Sequence, residues 1–208
     1  MRVAAVILAG GRGERLGGVI KANLRLGGVR LIELARAALP GEAWLLISIG
    51  HLDAGSVAPP EDATAIPDLI SDYAGPLAGV AAAVRACRDM PEPPELLLTA
   101  SVDTPFLPRA LFAGLRTAMG TRAGAVVRCQ GQLHPTIGAW RVAALAALPD
   151  QILAGTAPHS LKRLAEQQDA AILDWVAAPG ADPFAGINTI ADLLAAQRRA
   201  RLVETRAT

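Results

Sequence analysis

Cysteine is scarce in this sequence. Only Cys87 and Cys129 occur among 208 residues. They lie far apart, and neither has a His or Cys neighbour at metal-ligand spacing. This argues against a disulfide framework or a zinc site and for two small core residues in a reducing compartment. An excess of either charge is also missing: 20 basic residues face 19 acidic ones, for a net charge of +1. With no block of Lys or Arg, a general nucleic-acid binder and a membrane-surface protein are both disfavoured, because each rests on clustered positive charge. Any anion this chain binds must be held at one local site. Long apolar runs are absent as well. The early run Val3 to Ala9 is too short to span a bilayer and lacks a signal-peptide cleavage pattern. A cytoplasmic location is the resulting expectation.

What is present is an alternation of strand and helix patterns. Continuous apolar runs, of the kind buried on both faces of a parallel sheet, occur at Val3 to Leu8, Trp44 to Ile49 and Glu95 to Val102. Shorter strands are expected at Ala63 to Ile66, Gly124 to Cys129, Pro135 to Trp140 and Ala171 to Val176. Helical periodicity marks Leu31 to Leu39, Pro76 to Asp89, Arg109 to Met119, Arg141 to Leu148, Ser160 to Gln168 and Thr189 to Ala200. Residues 55–62 read as a loop, and the end of the chain from Leu202 as a loose tail. The pattern predicts an α/β fold: a Rossmann-like, doubly wound, mostly parallel sheet with helices on both faces, three-layered and of one domain. Residues 1–200 form that domain, and 201–208 are expected to be a flexible tail. In such sheets ligands bind beyond the carboxyl ends of the strands.

Two polar loops fall at that edge. The first is Leu8-Ala9-Gly10-Gly11-Arg12-Gly13-Glu14-Arg15-Leu16-Gly17-Gly18, followed by Lys21. Its glycines let backbone amides approach an anion, and Arg12, Arg15 and Lys21 add positive charge, as a polyphosphate requires. It is no P-loop, for no Gly-Lys-Ser/Thr ends it, and Leu16 stands at the third glycine position of the dinucleotide fingerprint. The second loop is Asp103-Thr104-Pro105, where an acid emerging from a buried strand is suited to a hard cation such as Mg²⁺. Asp68, after the Ala63 to Ile66 strand, is placed either for ribose or base groups or as a solvated acid. Gly75 and Gly79 suggest a close approach to ligand or to the sheet. His134 reads as a structural group, His51 has no partner in sequence, and Ser101 and Ser160 lack a nucleophile-elbow context.

Together, Leu8 to Gly11 with Lys21, Asp72 to Gly79 (DYAGPLAG), Val102 to Pro105, His134-Pro135-Thr136 and Ile187-Asn188-Thr189 with Asp192-Leu193 resemble the molybdenum cofactor guanylyltransferases. The first segment is common to many nucleotidyltransferases, and the later ones narrow the likeness. The resemblance implies Mg²⁺-dependent transfer of a guanylyl group from GTP to the molybdopterin form of the cofactor, with release of pyrophosphate. It implies nucleotide contacts from Leu8, Ala9, Gly10, Gly11, Arg12, Gly13, Ser48, Asp68 and Gly79, with Lys21 on the phosphates. Catalytic roles fall to Lys21, Asp103 and Arg15, metal ligation to Asp103 and Asn188, and the pterin side to His134 and Thr136. The implied partners are GTP, the molybdopterin cofactor and, transiently, cofactor-biosynthesis or acceptor proteins. The chain departs from the family pattern at Ile20, where an acid is usual, and at Ser48 and Gly186, where asparagines are usual. A nucleotidyltransferase using CTP or a sugar phosphate stays open as an alternative, as does a non-catalytic nucleotide- or cofactor-binding relative.

Overall fold

The computed structural model describes residues 1–208 except 12, 71–74, 179–181 and 208, with 203–207 described by backbone alone. In chain order the elements are β1 (Val3–Leu8), β2 (Arg25–Leu26), β3 (Val29–Arg30), α1 (Leu31–Ala38), β4 (Trp44–Gly50), α2 (Ala54–Val57), β5 (Ala63–Pro67), α3 (Pro76–Arg88), β6 (Leu96–Ser101), α4 (Leu111–Met119), β7 (Gly124–Cys129), β8 (Gln132–Arg141), α5 (Leu148–Leu153), α6 (Leu161–Gln167), β9 (Ala171–Trp175) and α7 (Ile190–Ala207).

Seven strands form one sheet in the order β5-β4-β1-β6-β8-β7-β9, and β2 pairs with β3 as a small separate ribbon. β1 lies between β4 and β6, parallel to both. Only β8 runs against its neighbours, antiparallel to β6 and β7. The expected mostly parallel α/β sheet is therefore the observed one. The continuous apolar runs find their physical reason here. Ala5 and Ile7 of β1 pack into a core shared with α1, α4 and the start of α7. Ala4, Val6 and Leu8 pack into a second core shared with α3, α5 and α6. A strand with helices on both faces has no solvent side, so it carries no polar alternation. Both cysteines are buried and free, and burial pushes the Cys87 thiol up to about 12.

Four local expectations change. Residues 54–57 form the short helix α2, which takes up the start of the predicted loop. The predicted helix Arg141 to Leu148 is instead the end of β8, a 3₁₀ turn at Val142–Leu145, and only then α5. Pro149 accounts for this, because a ring without an N–H suits a helix's first turn and opens α5 rather than continuing an earlier helix. β8 starts at Gln132, earlier than Pro135, because Gln130 and Gly131 both take positive φ, 50° and 79°, and close a two-residue hairpin. Finally, α7 runs on to Ala207, so the backbone of 202–207 is helical where a loose tail was expected. That stretch has neither glycine nor proline to stop a helix.

The carboxyl ends of the parallel strands are tied together by backbone bonds. Ala9 donates to the Ser48 carbonyl at 2.8 Å, Val102 to the Leu8 carbonyl at 3.2 Å and Asp68 to the Gly50 carbonyl at 3.2 Å. The loops after β1, β4, β5 and β6 thus share one edge of the sheet.

Candidate functional site

The loop after β1 folds back on itself. Gly13 takes φ 60°, and its carbonyl accepts from the amides of Leu16 and Gly18 at 2.8 and 3.0 Å. A Cβ on Gly13 would come within 2.1 Å of the Val19 carbonyl oxygen, so a side chain here would block the turn as well as strain it. Gly10 lies where the ends of β1 and β4 touch: a Cβ there would stand 2.7 Å from the Gly50 backbone. These glycines bring the main chain of Gly10 and Gly11 against the sheet edge. There it borders a cleft of about 420 Å³ that Leu8, Ser48, Asp68, Asp103 and Thr136 also line.

At one end of the cleft, groups distant in sequence converge. Lys21 Nζ donates to Asp103 Oδ2 at 2.8 Å and to Asn188 Oδ1 at 2.7 Å. The Lys21 and Asp103 side chains are only 13% and 19% exposed, so the pair is poorly screened by water. Ser101 Oγ donates to the other carboxylate oxygen, Asp103 Oδ1, at 2.6 Å. Ser101 ends β6 and Asp103 lies two residues beyond it in the following turn, which folds the two side chains together. Asn188 is brought in by the main chain, since the amide of Ile187 donates to the Asp103 carbonyl at 2.9 Å. The start of α7 then fixes it. Asp192 Oδ2 accepts from the amides of Asn188 and Thr189, and Thr189 Oγ1 accepts from the Asp192 amide. These bonds hold the Asp192 carboxyl below the usual carboxylate range, the Asn188 amide contributing most.

Asp103 Oδ2 and Asn188 Oδ1 are hard oxygens already gathered around a cationic nitrogen, which is the donor chemistry that suits Mg²⁺ or Mn²⁺. Among the described residues no cluster of three or more His, Cys, Asp or Glu side chains forms a metal cage. Mg²⁺ commonly takes only one or two protein oxygens, with waters and phosphates completing its shell. The residues present therefore fit such an ion. A second, shallower hollow adjoins the cleft. Gly11 and Lys21 border both, and Gly13, Arg15 and Asn188 border the second. A chain of phosphates lying across Gly11 and Lys21 would meet Arg15 there.

At the other end, Asp68 projects from the end of β5. Its Oδ1 is buried without a hydrogen-bond partner among the described residues. Burial raises its pKa, against the opposing effects of the His51 charge and the Ser48 hydroxyl. An unsatisfied buried acceptor in a cleft is suited to a ligand N–H or O–H. Between the two ends, α3 points its first turn, Gly75 and Pro76, at the cleft, and its amide dipole favours anions there.

Several predicted residues have other placements. Ala9 is fully buried, its side chain in the core and its amide on Ser48. Gly79 is buried within α3, where a Cβ would stand 2.3 Å from Ser48 Oγ, so it sets the packing of α3 behind the cleft. Thr136 lines the cleft, but His134 does not: its ring packs on Phe184 with centroids 5.2 Å apart. Burial lowers the His134 pKa, and its Nε2 has no hydrogen-bond partner among the described residues. Arg12 and Asp72 to Ala74 lie outside the described residues. Sequence reasoning missed Ser101, Gly50 and His51, all of which line the cleft. A serine two positions before a strand-end aspartate was the available signal for Ser101. For His51 there was none, because its link to Asp68 is made only by the pairing of β4 with β5.

Residues 5–172 match the family described as the MobA-like NTP transferase domain. A relative from Acidiphilium cryptum, named molybdenum cofactor guanylyltransferase, is 38% identical, covering 93% of this chain and 93% of the relative. Among solved structures, the molybdopterin-guanine dinucleotide biosynthesis protein A of Archaeoglobus fulgidus superposes with a TM-score of 0.69 at 22% identity, over 97% of this chain and 99% of that one. A Mycobacterium tuberculosis protein crystallised in complex with manganese superposes with a TM-score of 0.66 at 13% identity, over 95% and 98% of the two chains. The extent and identity of these matches, together with the glycine-rich loop and strand-end aspartate at one sheet edge, establish that the chain belongs to the MobA-like NTP transferase family.

Proposed function

We propose that this protein transfers the guanylyl group of GTP to the molybdopterin form of the molybdenum cofactor, releasing pyrophosphate in a Mg²⁺-dependent reaction in the cytoplasm. The observation that carries this reading is the convergence of Lys21, Asp103 and Asn188 beside Gly10, Gly11 and Gly13. The name of the Acidiphilium relative, molybdenum cofactor guanylyltransferase, supports a guanylyl group as the group transferred and the molybdenum cofactor as its acceptor. The manganese complex of the more distant Mycobacterium protein supports a divalent ion on this fold. No helix among the described residues is long and apolar enough to cross a membrane.

The reaction needs little covalent chemistry from the protein. A phosphate oxygen of the acceptor forms a bond to the α-phosphorus of GTP, the α–β phosphoanhydride bond breaks, and the electron pair leaves with pyrophosphate. The acceptor is already an anion, so no general base is required. Amides of Gly10 and Gly11 and the cations Lys21 and Arg15 hold and neutralise the triphosphate, and Asp103 and Asn188 would hold the metal. When bound, that ion supplies Lewis-acid charge stabilisation at the phosphate oxygens. Asp68 faces the nucleoside end, where its carboxylate accepts from N–H donors of the base or hydroxyls of the ribose. Thr136 lines the acceptor side. Positioning and electrostatics supply the rate.

The test is pyrophosphate release with GTP, Mg²⁺ and molybdopterin cofactor. Asp103→Ala is expected to lower turnover by at least about 10²–10³, the usual loss for one charge-stabilising group. Near-wild-type turnover in Asp103→Ala would remove this residue from the mechanism.

A further inference from the structure

The contacts of Lys21 point beyond phosphate binding. Its ammonium donates at 2.8 and 2.7 Å to the same oxygens, Asp103 Oδ2 and Asn188 Oδ1, that suit a divalent ion. A single centre draws on both. Mg–O contacts are about 2.0–2.1 Å, so an ion using these oxygens takes the ground the ammonium holds, and the two cations exclude each other. Charge acts in the same direction. Asp103 and Lys21 cancel as a pair, and with a neutral amide as the third member the cluster has no net negative charge to draw a divalent ion out of water. Lys21 also has somewhere else to go. It borders both the main cleft and the hollow lined by Gly13 and Arg15, and a lysine is a compact charge on a flexible four-carbon stem. The carboxylate has no such freedom, because Ser101 holds its other oxygen at 2.6 Å.

We infer that Lys21 is an internal cation that closes the metal seat until a polyphosphate draws it away, so that divalent metal alone binds weakly and metal and nucleotide bind cooperatively. The inference rests on the reading of Asp103 and Asn188 as the metal seat and adds an order of events to it. Triphosphate oxygens outcompete Asp103 for the ammonium, the carboxylate is released, and the ion enters with the nucleotide. Linkage makes the coupling reciprocal: whatever factor nucleotide adds to metal affinity, metal adds to nucleotide affinity. The arrangement also keeps an aspartate from standing unpaired in a poorly solvated place when no ligand is bound.

The experiment is a Mn²⁺ titration followed by electron paramagnetic resonance on the full chain without any nucleotide, comparing wild type, Lys21→Met and the double variant Lys21→Met/Asp103→Asn. Thermal melts with and without Mn²⁺ accompany it. Lys21→Met is expected to bind Mn²⁺ at least about tenfold more tightly than wild type. Its melting temperature should rise with Mn²⁺, while that of wild type hardly moves. The double variant should lose the gain. Should Lys21→Met fold poorly, Lys21→Gln keeps a neutral donor toward Asp103 and makes the same prediction. Equal or weaker Mn²⁺ binding in the charge-free variants overturns the inference. If removing Asp103 lowers Mn²⁺ binding in that case, the metal seat survives and only the lysine's role falls. Tight Mn²⁺ binding that ignores Asp103→Asn sinks the metal seat itself, and with it the reading on which the inference depends.

Discussion

The chemistry of the site rests on a few side chains whose orientation is fixed by others. Asp103 has one oxygen on Lys21 and the other on Ser101. Ser101→Ala leaves the carboxylate in place but free to rotate. Groups that orient a metal ligand typically contribute about 10–100-fold in metal affinity or activity. Ser101→Ala is therefore expected to raise the Mg²⁺ concentration needed for half-maximal turnover by about that factor, with an unchanged melting temperature. An unaltered Mg²⁺ dependence would show that Ser101 does not position Asp103. Asp68 makes a different demand. Burial raises its pKa, so ionising this carboxyl costs more in the folded chain than in the unfolded one, and the cost is felt only once the group ionises. The sign follows. Asp68→Asn should melt above wild type at neutral pH, and the difference should shrink as pH falls through the raised pKa and vanish below the ordinary aspartate value. The same variant should bind nucleotide more weakly. A melting difference independent of pH would mean that ionisation of Asp68 is not what the substitution removes.

At the scale of elements, the glycines and strand ends set the shape of the cleft. Gly79 lets α3 pack directly on β4: a Cβ there would stand 2.3 Å from Ser48 Oγ and 2.9 Å from Leu8 Cδ2. Gly79→Ala must push α3 outward or turn Ser48 away from Asp68. Overpacking of this kind costs about 1–3 kcal/mol, so a lower denaturation midpoint and weaker nucleotide binding are expected together. A variant as stable as wild type would show that the helix shifts freely. The element scale is also where the sequence was easiest and hardest to read. β1, β4 and β6 were legible because burial on both faces leaves an unbroken apolar run. α2 was not, since four residues are too few to show a period. The start of α5 was obscured because Val142 to Pro149 is apolar throughout, and Pro149 tells where the helix opens. The cap at Thr189 was readable in sequence. Its consequence, a fixed Asn188, needed the bond from Ile187 to Asp103.

For the whole molecule, the decisive contacts join residues 82 and 167 positions apart. No spacing rule predicts them. What the sequence offered was a topological argument: loops after parallel strands meet at the carboxyl edge, so the Gly10 loop and Asp103 should share a cleft. That step brought Lys21 and Asp103 together on paper. It could not bring in His51, whose position depends on how β4 pairs with β5, nor could it turn Gly79 away from the ligand. A site made by the meeting of four strand ends should couple ligand binding to the stability of the entire sheet, because every wall of the cleft belongs to the same cooperative unit. GTP with Mg²⁺ at roughly 100 times its dissociation constant should add about 2.7 kcal/mol. For a chain of this size that is a rise in melting temperature of about 5–11 °C. Base recognition at Asp68 then requires unequal responses at equal concentration. Guanine presents two adjacent N–H donors to a carboxylate, whereas the exposed edge of uracil presents one and that of cytosine or adenine a single amino group. The largest shift is expected with GTP, and Asp68→Asn should narrow its lead over CTP, ATP and UTP. Equal shifts from all four nucleotides in the wild type would leave the triphosphate grip intact and remove the guanine assignment.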